Sequence, residues 1–347
     1  FSNISVTTSS VSQGGSEAES KESIRFNAPL QYSAQDRAVT TSDYETKVLS
    51  LYPNALAVSA WGGEDDETPI YGVVKIAIKA ASGSTLTTQT KADIVNKLKE
   101  YNVASVTPQI VDPETTSIIL STTAKFNSSA TAKDAETLKA NIIANLTSYN
   151  ATTLQKFDSV FRHSKVSTLI DSVDGSILSN ITTLKIRKNL TPSLGSSLKY
   201  NVYFRNALYN PHSGHNSIGG GILSSTGFKV DGDTNEQFLD DDGNGVVRRY
   251  YLSGATRVYS NSTQGTIDYT TGAITINSLQ VTSISNIRGS ASSVIELTVQ
   301  PDSKDIVPVR DQIIEIDIAN SNVMVEKDTF VAGSSDAGVG YTTTSSY

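Results

Sequence analysis

The sequence predicts an α+β protein in three parts: an N-terminal linker arm, a small α/β sandwich-like domain with amphipathic helices on a sheet, and a β-rich domain that is sandwich or barrel-like. Three observations predict it. Between residues 42 and 190, alternating apolar runs interleave with segments whose apolar residues recur at helical spacing behind Ser, Thr or Asp caps. Beyond residue 200 the helix signals vanish, and short alternating runs separated by Gly-rich turns take over. Only 37% of the 347 residues are hydrophobic, the balance of a strand-rich chain with a polar surface. The expected division is a linker or arm at 1–25, an α+β domain at 26–195, a β-rich domain at 196–332 and a flexible or partner-bound tail at 333–347.

Residues 1–20 have the Ser, Thr, Gly, Gln and Glu composition of a linker. The Ala28-Pro29 step favours extended backbone before the proline. Ser42 stands three residues before Glu45, the spacing of a reciprocal capping box, with Asp43 supporting the first turn. Behind it Tyr44, Val48, Leu51 and Tyr52 share a helical face, and Pro53 stops the helix. The opening is therefore expected to be an extended arm leading onto a short capped helix. Arg25 and Arg37 bracket that arm. They either sit solvated near Glu17, Glu19 and Glu22, or anchor the arm on a neighbouring subunit, since Arg is enriched at interface cores. Arg25, Arg37, Tyr44 and Tyr52 are the candidate interface residues.

Leu56, Val58 and Ala60 alternate into Trp61 as a strand, and the acidic loop "GGEDDETPIYG" follows. Val74, Ile76 and Ile78 alternate with Lys75 and Lys79, giving a strand with one buried face and one wet face. A helix carrying Ile94, Val95, Leu98 and Tyr101 is expected behind a cap at Thr90 and Asp93. Strands at Val103–Val111 and Ile118–Phe126 precede a second capped helix, with Thr131 and Asp134 at its start and Leu138, Ile142, Ile143 and Leu146 on its face. The shared cap spacing hints at an internal duplication. A third helix carries Val166, Leu169, Ile170 and Val173 and closes at Asp174-Gly175, before an exit strand through Leu184 and Ile186.

In the second half, "GTIDYTTGAITI" reads as a hairpin with Gly272 supplying the positive φ of its turn. Val202–Phe204, Val246–Leu252, Val294–Val299 and Ile313–Ile318 are further strands of the expected β-rich module.

A net charge of −7 without a basic block excludes the phosphate-binding field of a nucleic-acid partner. The absence of cysteine excludes disulfides and thiolate metal sites. No apolar run reaches the roughly 18 residues that span a membrane. The chain opens on Phe1 with no basic-then-apolar leader, so no signal peptide and a piece of a longer protein are expected.

Three stretches resemble chemistry. Asp240, Asp242, Asn244 and Gly245 match the start of a calcium loop, but position 12 is Tyr251 where the bidentate Glu belongs, and strand-like sequence follows. A polar hairpin loop is the expectation. His212 and His215 could share a metal, but Pro211 and Gly214 make their setting a loop and no acidic third ligand is identifiable. Glu64, Asp65, Asp66 and Glu67 could hold a glycosidic acid–base pair, though four carboxylates in a Gly-flanked loop are more simply a solvated tip. No catalytic residue, cofactor or metal is expected, and an enzyme is not.

The run Gly14, Gly15, Glu17, Glu19, Arg25, Ala28, Pro29, Arg37, Ala38, Val39, Thr40, Asp43, Tyr44, and the later "FRHSKVSTLIDSVDG" helix, resemble the baseplate J family of contractile-tail phages. With the β-rich half included, the chain is similar to the C-terminal part of a T-even baseplate wedge protein. The resemblance implies a late-expressed virion structural protein assembled in the host cytoplasm. It implies a homodimer with ring neighbours and other baseplate wedge proteins as partners, forming a ring around the hub that couples to sheath contraction. The alternative is a tail-associated glycan- or receptor-binding module. A glycan-cleaving enzyme working through Asp65 and Asp66 comes third.

Overall fold

The computed structural model describes residues 21–329 apart from 67, 82–84, 104 and 218–219; the expected linker at 1–20 and tail at 333–347 lie outside the described residues.

Helix α1 (Lys21–Ala34) occupies the stretch where the Ala28-Pro29 step predicts extended backbone, and Pro29 lies inside it. A proline removes one helical hydrogen bond, but α1 packs against α2 (Thr41–Leu51), and tertiary packing overrides the local preference. The reciprocal cap of α2 forms two residues earlier than expected. The Asp43 N–H donates to Thr40 Oγ1 at 3.3 Å and the Thr40 N–H donates to Asp43 Oδ2 at 2.9 Å. Glu45, expected in the cap, instead accepts the N–H of Ala60 at 3.0 Å.

The buried face of α2 lies on β1 (Ala55–Gly62), which pairs antiparallel with β2 (Val73–Ala80). Helix α3 (Thr88–Leu98) then crosses to β3 (Thr107–Val111), parallel to β2. Its cap is Thr87, whose Oγ1 accepts the Thr90 N–H at 3.2 Å, in place of the expected Thr90 and Asp93.

β4 (Glu114–Phe126) and β5 (Ile177–Leu190) form an antiparallel pair, with α4 (Ala135–Tyr149) and α5 (His163–Asp171) between them in sequence. Asp134 caps α4 as expected, accepting the Thr137 N–H at 2.8 Å. Helix α5 stops at Asp171 with Ser172 as its C-cap, so Gly175 is not the capping glycine expected there. Instead the Asp174 carboxylate accepts the Ser176 N–H at 3.0 Å and so turns the chain into β5. The hinted duplication has no structural counterpart. One crossover joins parallel strands and the other joins antiparallel ones.

After β6 (Ser197–Tyr203) and the short β7 (Ser224–Ser225), β8 (Phe228–Val230), β9 (Asp233–Asp241), β10 (Val246–Ser253), β11 (Thr256–Asp268) and β12 (Ala273–Ile284) pair in succession. Because β12 pairs with both β11 and β8, the five strands close into a barrel, and β6 adds to β12 from outside. Closure removes the free edges an open sheet would expose. The predicted hairpin is β11–β12, and Gly272 has φ 71 as its turn requires. A Cβ there would stand 2.4 Å from the Asn206 carbonyl oxygen.

The last three strands correct the expected grouping. β13 (Ile295–Val299) pairs with β5, while β14 (Gln312–Ile316) and β15 (Asn322–Lys327) lie in turn along β4, parallel to it. Strands assigned from sequence to the β-rich module therefore complete the sheet begun at residue 114, and the expected division at 195/196 is crossed by these pairings. Alternation identifies a strand but not its partner. One core runs through this central sheet and the barrel, and a second core belongs to the segment from Ala38 to Ile110.

Candidate assembly interface

Of the four expected interface residues, two are on the surface and two are inside. Arg25 is exposed on α1. Arg37 is exposed beyond it and its Nη2 donates to Gln35 Oε1 at 3.1 Å. Among the described residues neither arginine joins an ion pair; Glu17 and Glu19 lie outside them. Tyr44 and Tyr52 are only 1% and 8% exposed, so the structure places them in the chain's own core. The Tyr44 hydroxyl donates to Asn102 Oδ1 at 2.6 Å, and burial pushes that hydroxyl's pKa up. The stripe that identified them as helical also points them onto β1 and β2, leaving nothing for a neighbour to grip.

The chemistry-like stretches are tied down by internal contacts. In the acidic loop, Asp66 pairs with Lys75 and accepts the Trp61 Nε1–H at 3.0 Å. Burial works against it, but Lys75 and Trp61 hold the Asp66 carboxyl below its ordinary value. A glycosidic general acid needs the opposite shift. Asp65 lies 3.5 Å from Arg310 Nη2, and Glu67 is outside the described residues.

Asp240 and Asp241, at the end of β9, are fully buried. Asp240 accepts from Arg248 Nε at 3.0 Å, Arg257 Nη1 at 2.7 Å and the Tyr259 hydroxyl at 2.9 Å. The guanidinium of Arg248 also lies over the Tyr259 ring, and that of Arg257 over the Tyr250 ring. Asp241 Oδ1 accepts the N–H groups of Ile222 and Leu223, both at 2.7 Å, and Oδ2 accepts from Gly243 N and the Tyr269 hydroxyl. Asp242 Oδ1 accepts the N–H groups of Asn244 and Val246, a turn held by its own side chain. These carboxylates are the framework of a hairpin and of the loop clamped on it.

His212 and His215 do come together, with His215 Nδ1 3.1 Å from His212 Nε2 in an exposed loop. Among the described residues no three His, Cys, Asp or Glu side chains gather as a metal-binding group.

The faces of the central sheet differ from each other. Helices α4 and α5 cover one face of the central sheet, burying Ile118, Leu120, Ala124 and Phe126 of β4. The alternate residues of β4 and its neighbours face the other way; that face is exposed to half-buried from Ser121 to Lys125 and becomes buried toward Ser117 and Arg187. There Met324 of β15, Thr123 of β4 and Ile181 of β5 stand in one rung, with Met324 45% and Ile181 70% exposed. The next rung is Asn322, Ser121 and Thr183, and beyond it on the other side Lys125 pairs with Glu326 at 2.8 Å. Toward the far end Arg187 bridges Glu296 at 2.6 Å and Asp317 at 2.7 Å. Met324 and Ile181 are thus the exposed apolar residues of a face that is otherwise Ser, Thr and charged pairs. A second exposed apolar set lies on the N-terminal body, with Ile24 and Tyr32 on α1 and Val39, Tyr71 and Val103 beyond it.

Sequence reading missed Ile181 and Met324. The signal was present: Ile181 alternates with Ser179, Thr183 and Lys185, the wet positions of its strand, so an apolar residue there is out of pattern.

Comparison with known proteins bears on this arrangement. Residues 40–111 match the family model described as baseplate structural protein gp6, C-terminal domain I, and residues 114–189 match that of C-terminal domain III. The chain is 31% identical over 194 residues to baseplate wedge protein gp6 of Enterobacteria phage T4, covering 54% of this chain and 28% of that protein. It thus spans less than a third of that relative's length. A cryo-EM structure of the anti-feeding prophage (AFP) baseplate, 6-fold symmetrised, aligns at 11% identity and TM-score 0.35 over 48% of this chain and 37% of that one, too slight a likeness to argue from. The likeness at residues 40–189 is to gp6, where the sequence run suggested the broader baseplate J family. The gap between the two matched models falls at the Asp112-Pro113 connection between β3 and β4.

Proposed function

We propose that this gp6-like chain is a structural component of a contractile-tail baseplate wedge. It works by assembly: it pairs with a second copy of itself, contacts other wedge proteins, and contributes to the ring around the hub that couples to sheath contraction. Its place is the tail baseplate of the virion. The observation that carries this reading is the pair of consecutive matches to gp6 C-terminal domains, I and III, which meet at a boundary the fold also has. The uncovered face around Ile181 and Met324, and the arm formed by α1 with Arg25 and Arg37, are its contact elements. A specific contact of this kind buries on the order of 1,600 Å² in total. Symmetry repeats it around the ring.

The test is co-assembly. The purified chain is mixed with the other wedge proteins of the same virion and resolved by size-exclusion chromatography with light scattering. A complex of larger, defined mass is expected. A chain that elutes alone and monomeric in the presence of every wedge protein contradicts the proposal.

A further inference from the structure

The described residues hold two hydrophobic cores with no member in common, one from Ala38 to Leu98 and one through the central sheet and barrel. The chain passes from one to the other through Asp112-Pro113, between the last residue of β3 and the first of β4. Pro113 fixes its own φ and biases Asp112 toward extended backbone, so the connection is short and the turning of one body on the other is confined to a few torsions, chiefly Asp112 φ and Pro113 ψ.

Between the bodies lies a cleft of about 600 Å³, with Trp61, Asp65 and Lys75 on one wall and Arg205, Arg310 and Asp311 on the other. Arg310 spans it. Its Nη1 donates to the Asp65 carbonyl oxygen at 2.9 Å and its Nη2 lies 3.5 Å from the Asp65 carboxylate. Apart from Lys91 with Asp112 at the connection itself, these are the hydrogen bonds and ion pairs that join the two bodies among the described residues. A second cleft of about 410 Å³ separates α2 and β1 from the Lys156–Asp158 segment, and there Glu45 and Asp158 present like charges. Lys156, Phe157, Leu49 and Leu56 line that cleft as well, and no ion pair or hydrogen bond crosses it among the described residues.

We propose that the N-terminal body swings about Asp112-Pro113 and that Arg310, closing on Asp65, is the clasp that sets its docked position. Both side chains are about half exposed, so water and salt compete for the pair and the clasp is releasable. Two bodies with separate cores, one short joint and one releasable contact make a hinged arrangement with a preferred setting. This goes beyond a wedge role and stands or falls without it.

The chain has no cysteine, so spin labels can be placed cleanly. Asn96→Cys on α3 and Ala140→Cys on α4 are exposed sites on rigid helices, one in each body. Pulsed electron–electron resonance on the full chain is expected to give one narrow distance. Arg310→Ala is expected to add a second, shifted population, and Asp65→Ala, which keeps the backbone carbonyl that Arg310 Nη1 reaches, a smaller one. An unchanged distribution in Arg310→Ala, or a wild-type distribution already as broad as that variant's, overturns the clasp.

Discussion

Met324 and Ile181 lie in one rung of the central sheet, separated by Thr123, on the face that no helix covers. Neither side chain contributes to the core, so Ile181→Arg is expected to change folding stability by no more than about 0.5 kcal/mol. It places a charge in the middle of the uncovered face, where burial without a partner is costly. Sedimentation across a range of concentrations is expected to show self-association in the wild type and its loss in the variant. Equal self-association of the two proteins would remove this face from the contact.

Asp241 and Tyr269 tie the loop at 222–223 to the barrel. The hydroxyl donates to Oδ2 at 2.6 Å, and burial, followed by the neighbouring carboxylate, pushes the pKa of Tyr269 well up. Asp241→Ala leaves three N–H groups and a hydroxyl without their acceptor and should cost about 3 kcal/mol or more. Tyr269→Phe removes one partner of several and should cost about 1–2 kcal/mol. Urea denaturation of both variants checks the order. If the two losses were equal, or Asp241→Ala the smaller, the carboxylate would not be the organiser of that loop.

Glu45 gives a pH signature. Burial, and then the charge of Asp158, raise its pKa, against the opposing effect of the Ala60 N–H. A raised folded value means that the protonated form is the better fit. Its contribution is fully present below the ordinary glutamate value of 4.5 and is lost as pH rises through the folded one. Glu45→Gln keeps an oxygen for the Ala60 N–H without the charge. It is expected to be at least as stable as wild type at pH 7, with the advantage disappearing toward pH 4 in a pH series of thermal melts. A variant less stable than wild type at pH 7 would contradict this.

Asp174 works in the opposite direction. Lys133 and then Ser176 hold its pKa at about 2. A depressed folded value contributes stability above the ordinary aspartate value of 3.8, and that contribution fades as pH falls toward 2. Asp174→Asn should therefore be less stable than wild type near neutrality and converge with it between about pH 4 and pH 2. A gap of constant size over that range would place the effect elsewhere.

Much of the fold was legible because it follows period and cap chemistry. Helices α2 to α5, the hairpin at Gly272 and the strands β6, β10, β13 and β14 carry such signals, whereas β7, β8, β9 and β15 were not anticipated. Helix α1 was not legible, since Ala28-Pro29 argues locally for extended backbone and only packing on α2 overrides it. Nor was the return of β13, β14 and β15, because the parallel pairing of Ile314 with Thr116 is a contact across almost two hundred residues that no local pattern encodes. At the candidate interface the same limit applied twice. The apolar stripe of α2 showed that Tyr44 and Tyr52 were ordered but not that they faced inward. Ile181 was a break in its strand's alternation that becomes meaningful only once the opposite face is known to be covered.

Antibody labelling of intact phage particles, viewed by electron microscopy, tests most directly whether this chain is built into a tail rather than acting on a substrate. Gold confined to the baseplate end of the tail is the predicted result. Gold on the capsid or along the sheath, or particles that carry none of the chain, would contradict the account.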